Sequence, residues 1–169
     1  GSASTVVIDP FLTGNPVAST SADAVTCSHV ALSHGHEDHV GDTIAIAKAN
    51  DATIVAAYEI CNWAAEQGHQ NTSPGNPGGR VPLNGDDWLA FTRAYHSSSY
   101  EGRYMGQPCG LVLHVDGKRC HGHGFVKASN MNSMCCAGLS PAAHAPPVVL
   151  AAGGLHNTIE LWHLAGGAD

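Results

Sequence analysis

Ser33-His34-Gly35-His36-Glu37-Asp38-His39 places three imidazoles and, through Asp38, a carboxylate within six residues, directly after the apolar segment Val30-Ala31-Leu32. Residues 28–33 read as a short strand. If that strand stays extended to its end, His34 and His36 project to the same side, because strand side chains alternate with period two. As the chain turns into a helix expected over 42–49, Asp38 and His39 can face a second point nearby. Imidazole nitrogen and carboxylate oxygen suit Zn²⁺, and also Fe or Mn. Four donors so tightly spaced are better arranged for two adjacent metals than for one. The plain alternative is a surface loop rich in His by chance, and the position between a strand and a helix argues against it.

The surroundings read as alternating strands and helices. Residues 5–9 form a buried strand stopped by Pro10, and 53–57 a third strand. Ile44, Ile46 and Ala47 sit among helix formers over 42–49, with Gly41 or Asp42 able to cap the start. A second helix is expected over 59–67, with Ile60, Trp63 and Ala64 on one face. Residues 68–79 hold four Gly and two Pro and read as a loop. A strand over 88–95 ends at His96, and 109–115 with 119–121 form a hairpin about Asp116-Gly117. Val148 to Ala152 suits one more strand and 157–165 a helix. This alternation argues an α/β fold.

Twelve His stand against seven Lys plus Arg, and the formal net charge is −7. The densest basic spot is Lys118-Arg119, so neither a nucleic-acid track nor an anionic-membrane patch is expected. No apolar run approaches the roughly 20 residues a membrane-spanning helix needs. Six Cys at 27, 61, 109, 120, 135 and 136 show no CxxC spacing, which reads as reduced thiols in a cytoplasmic protein. Gly1-Ser2 looks like a tag scar or a processing site. Trp63, Trp88, Phe91 and Trp162 read as core, Asp9 as a turn organiser, and Cys135-Cys136 with Met131 and Met134 as packing rather than a soft-metal site.

The HxHxDH pattern of residues 34–39 resembles the hallmark of the metallo-β-lactamase superfamily. Ile8-Asp9-Pro10-Phe11-Leu12-Thr13-Gly14-Asn15-Pro16 and His36 to Thr43 look like its uncharacterised bacterial and archaeal branch of metal-dependent hydrolases. Asn76-Pro77-Gly78-Gly79, His96-Ser97-Ser98-Ser99 and Asp116-Gly117-Lys118 continue the pattern in order, over about residues 5–119. The resemblance implies His34, His36 and His96 on one metal, with Asp38 and His39 on the other. Read alone, His96 is either a ligand or an ordinary strand-end residue. The resemblance also implies an αββα sandwich, incomplete at both ends, with its site at one edge of two packed sheets. Residues 1–169 would form one such domain, with 1–4 a tag or linker and 120–169 divergent.

After the Asp-Gly-Lys turn the family carries a strand ending in His-Ala-Gly-Asp-Thr-Gly, whose Asp bridges two metals. Here the residues are Cys120-His121-Gly122-His123-Gly124-Phe125, with no carboxylate. Either His121 or His123 substitutes, with His156 or His163 completing a second site, or these His are incidental. Three His plus water would still make a usual catalytic zinc. His123 is retained as a candidate ligand.

The function this implies is a metal-dependent hydrolase using one or two zinc ions, or Mn or Fe. A metal-activated water would attack an ester, lactam, lactone or phosphodiester of a small-molecule substrate. Asp38 would orient the nucleophile as the catalytic carboxylate, and the segments 68–79 and 97–107 would shape the pocket. The alternatives are a catalytically weak or inactive metal-binding remnant, and a subunit completed by homo-oligomerisation across unpaired strand edges.

Overall fold

Continuous apolar runs favour strands buried on both faces, and three of them build the first sheet. β1 (Val6–Ile8), β2 (His29–Ala31), β3 (Thr53–Ala57) and β4 (Thr72–Gly75) pair in that order, all parallel. The computed structural model describes residues 4–115 and 117, and beyond them the backbone of strands at 118–123, 133–137, 149–150 and 162–163.

The period of two divides the apolar residues between two cores. Val7, Val30, Ile54 and Ala56 pack under the helices α2 (Thr43–Asn50) and α3 (Tyr58–Glu66), against Ile46, Ile60 and Ala64. Val6, Ile8, Ala31 and Val55 face the other way, onto Leu89, Phe91, Leu111, Leu113 and Val115 of a second sheet. That sheet is antiparallel and comprises β5 (Arg80–Pro82), β6 (Trp88–Arg93), β9 (Cys109–Val115), β10 (Lys118–His123) and β11 (Ser133–Ala137). Its order is β11-β10-β9-β6-β5. A small hairpin, β7 (Ser99–Tyr100) with β8 (Arg103–Tyr104), interrupts the path from β6 to β9. Helices, parallel sheet and antiparallel sheet are thus three layers of the expected αββα sandwich. Among the described residues, no helix is long and apolar enough to cross a membrane.

The expected strands at 5–9, 28–33 and 53–57 and the helices at 42–49 and 59–67 are present with small shifts of their ends. Three readings need correction. The segment 68–79 is not all loop, because Thr72–Gly75 is the edge strand β4. An edge position tolerates Pro74, which has no N–H to give. Gly75 is needed there, since a Cβ on it would overlap the edge of the Phe91 ring. Apart from these, the stretch 34–42 holds a one-turn helix that the sequence does not announce, α1 (Glu37–Val40). Asp42 precedes α2 but caps nothing with its side chain, which instead accepts the Leu12 and Thr13 amides at 2.7 and 2.8 Å. Within the expected helix 157–165, Trp162–His163 is a strand, β13, paired antiparallel with β12 (Val149–Leu150). Cross-strand pairing overrides the weak helical preference of an aromatic residue.

Phe91 and Trp63 are core residues as expected, while Trp88 is half-buried with its ring stacked on His114. Met131 lies outside the described residues, as do the side chains of Met134, Cys135, Cys136 and Trp162. Cys27, Cys61 and Cys109 are free buried thiols.

Candidate functional site

The site gathers where β1 and β2 end, the edge at which open α/β sheets present ligand-binding loops. Directly after β1, Asp9 is held at φ +48 and buried. Its Oδ1 accepts the Ser33 amide at 2.8 Å and its Oδ2 accepts the Ser33 hydroxyl at 2.6 Å. The same Oδ2 lies 3.0 Å from His39 Nδ1.

These contacts fix ring protons. A carboxylate only accepts, so the single Ser33 hydroxyl proton goes to Asp9. The Ser33 oxygen, 3.0 Å from His34 Nδ1, must therefore accept from that nitrogen. His34 is left with a bare Nε2. By the same argument His39 carries its Nδ1 proton toward Asp9. One carboxylate thereby orients two imidazoles, the kind of outer partner that tunes metal ligands.

His34 is fully buried, and its ring centroid lies 4.5 Å from that of His36, 4.0 Å from His39 and 4.9 Å from His96. Burial, then repulsion from His39, His36 and His96, pushes its pKa far below the ordinary imidazole value. Burial also lowers His36, against the pull of Asp38, and lowers His96, helped by His36 and His39. In all three the shift favours the neutral ring, the form in which imidazole binds metal. His39 is the opposite case. Burial disfavours its charge, but attraction and hydrogen bonding to Asp9, with Asp38 adding, raise its pKa.

His34 Nε2 stands 3.0 Å from His36 Nδ1, and one nitrogen from each of His34, His36 and His96 lies within 4.8 Å of the others. Zinc–nitrogen bonds of 2.0–2.1 Å in a tetrahedron set nitrogens about 3.3 Å apart, inside that range. The facing nitrogens of His34 and His36 either share a proton from His36 or present two lone pairs that a cation would satisfy. The donor set therefore fits a divalent ion. Asp38, partly buried, reaches His39 Nε2 at 3.7 Å, so these two form an adjoining pair of donors.

The geometry thus brings together His34, His36, Asp38, His39 and His96. The convergence of His34 and His36 does not come from strand alternation, because β2 ends at Ala31. His123 ends β10, at the same end of the sheet as Cys109, whose amide donates to the Ser33 carbonyl. The His123 side chain lies outside the described residues, as do His121, His156 and His163 as side chains. The 97–107 segment reaches the site: Ser97 Oγ is 3.1 Å from His36 Nε2, and Ser98 Oγ accepts the Gly35 amide at 3.0 Å. The segment is tied to α3 by Tyr100 edge-on to Trp63 at 5.6 Å and by Arg103 gripping Glu66. Asp9 reads from the sequence as a turn organiser, yet its side-chain contacts are long-range, to Ser33 and His39. Its place between an apolar strand and Pro10, within the Ile8-to-Pro16 motif, marked it in the sequence without indicating those contacts.

The family model of the metallo-beta-lactamase superfamily matches residues 1–105. A UPF0173 metal-dependent hydrolase of Carboxydothermus hydrogenoformans is 44% identical over 115 residues, covering 66% of this chain and 50% of that relative. Another from Thermoplasma volcanium is 42% identical over 116 residues, covering 69% and 51%. The chain spans about half the length of these curated relatives. The solved structure of a metallo hydrolase from the hyperthermophilic archaeon Ignicoccus hospitalis matches with a TM-score of 0.58 and 31% identity, over 67% of this chain and 49% of that one. Sheet order, site position and the matched residues agree, and this chain belongs to the metallo-beta-lactamase superfamily.

Proposed function

We propose that this chain is a metal-dependent hydrolase acting on an ester, lactam, lactone or phosphodiester of a small molecule. The carrying observation is the convergence of His34, His36 and His96, with one nitrogen of each within 4.8 Å of the others, and burial favours the uncharged form of all three rings. Zinc is the ion of choice for three imidazoles and an open position, with Mn and Fe as the other candidates. A bound ion would supply a Lewis acid and a water acidified toward neutrality.

The chain's own residues do the rest. Ser33 and Asp9 hold His34 so that Nε2 points into the site. Asp9 restrains His39 through its Nδ1 side, which leaves Nε2 as the ligating atom of the neutral ring. On this reading Asp38, partly buried beside His39, would orient the attacking nucleophile and accept its proton. We read residues 1–169 as one domain, in a cytoplasmic protein, a setting in keeping with three buried free thiols.

One observation favours a second reading, a metal-binding remnant with little turnover: residues 120–125 carry no carboxylate to bridge two ions. The test is metal content by elemental analysis of the purified chain, alongside hydrolysis of ester, lactone, lactam and phosphodiester probes with and without chelator. Bound metal with chelator-sensitive hydrolysis supports the first reading. One equivalent of metal without turnover supports the second, and no metal at all overturns both.

A further inference from the structure

β6 ends at Arg93, so the ladder of the antiparallel sheet does not hold the residues that carry His96. Residues 95–97 and Ser99 are exposed, while Ser98 between them is 6% exposed. A small polar residue buried alone in an exposed run must use its polar groups on something fixed. Ser98 uses both. Its Oγ accepts the amide of Gly35, the residue between His34 and His36, at 3.0 Å. Its carbonyl accepts the Met105 amide at 3.1 Å. Met105 is fully buried, and its side chain packs so closely on Gly35 that a Cβ there would overlap it. The first contact crosses 63 residues of chain and joins the backbone of the His34–His36 segment to the segment bearing His96.

We infer that Ser98 is a positioning residue that sets the place of His96 relative to His34 and His36. This rests on the reading of those three His as a metal site. Ser98 touches no donor atom of that set; it acts through the Gly35 amide. Without its hydroxyl, Gly35 N–H keeps no acceptor in a buried place, and the two segments separate or rotate. A displaced third nitrogen changes both the affinity for an ion and the symmetry of the field around it.

The test is Co²⁺ titration of the full chain, followed by visible absorption and by competition with a chelator. Wild type, Ser98→Ala, Ser98→Thr and the exposed neighbour Ser99→Ala are compared, with denaturant midpoints measured in chelator. The expected result is Co²⁺ affinity at least about tenfold lower in Ser98→Ala, with a changed absorption band at saturation. Ser98→Thr, which keeps the hydroxyl, restores the band, and Ser99→Ala matches wild type. If Ser98→Ala does not fold, Ser98→Cys makes the same comparison, because sulfur keeps the shape and weakens the acceptor. An unchanged band and affinity in Ser98→Ala overturns the inference. So does a weaker affinity that only follows lost stability, with the band unchanged at saturation. Wild type taking up no Co²⁺ is a different failure: it overturns the metal reading itself and this inference with it.

Discussion

The Asp9 carboxylate lies 3.0 Å from His39 Nδ1 while it also holds the Ser33 amide and hydroxyl. One buried charge thus joins the end of β1 to both the segment after β2 and helix α1. Its loss acts on metal affinity and on stability together.

Asp9→Asn keeps the size and one acceptor but removes the charge and offers the Ser33 hydroxyl a poorer partner. Metal affinity is expected to fall by about 10–100-fold, the usual effect of removing a ligand's outer partner. Stability is expected to fall by about 1–3 kcal/mol, as for a buried group left imperfectly paired. Calorimetric titration with Zn²⁺ and urea unfolding in chelator measure the two effects separately. Wild-type affinity in the variant would show that Asp9 does not act on the metal site.

Removing a donor has a different signature. An ion bound only by the folded chain stabilises it by about 2.7 kcal/mol at a free concentration 100 times Kd. Wild type is therefore expected to melt at a lower temperature after chelator treatment. In His34→Ala the chelator is expected to change nothing, because the buried nitrogen with its fixed tautomer is gone. Calorimetric melts with and without chelator decide it, and a shift of wild-type size in His34→Ala would sink the assignment of that residue.

What the sequence revealed follows physical range. β1, β2 and β3 were legible because their apolar runs leave no other period, and His34–His39 because the donors are close along the chain. β4 was hidden by Pro74 and Gly75, which signal a loop unless a neighbouring strand makes their place an edge. His96 was ambiguous alone because its meaning depends on rings some sixty residues away, at centroid distances of 4.9 Å. Asp9 and Ser98 were missed as site residues for the same reason: each acts through a contact that no local pattern encodes.

The buried thiols set an alkaline limit on stability. Burial pushes Cys27 and Cys61 up to about 11 and Cys109, with Asp9 adding repulsion, up to about 12, from an ordinary 9.0. Between pH 9 and 11 the unfolded chain releases these protons and the folded chain retains them. The stability present below pH 9 is therefore lost as pH rises, by at most about 1.4 kcal/mol per unit for each thiol. Urea midpoints at pH 8, 9 and 10 are expected to fall increasingly steeply, with a shallower fall in Cys109→Ala. Equal slopes in the two chains would remove this thiol from the explanation.

The close approach of β4 to the second sheet gives the sharpest packing prediction. Gly75 pairs with Ala57 across the parallel ladder, and the Phe91 ring occupies the space its side chain would take. Leu111, paired with Phe91 in β9, projects from the same face into the same core, so the ring has a packed neighbour beside it. Gly75→Ala is expected to destabilise by about 1–3 kcal/mol, the range for overpacking a core. Phe91→Leu alone is also expected to destabilise, by leaving space unfilled. Combined, the two changes should cost less than their sum, because the smaller side chain vacates the volume the new methyl needs. Urea unfolding of the two single variants and the double variant measures the coupling. Strict additivity would mean that the sheet edge moves to accept the methyl, and that Gly75 is not required by Phe91.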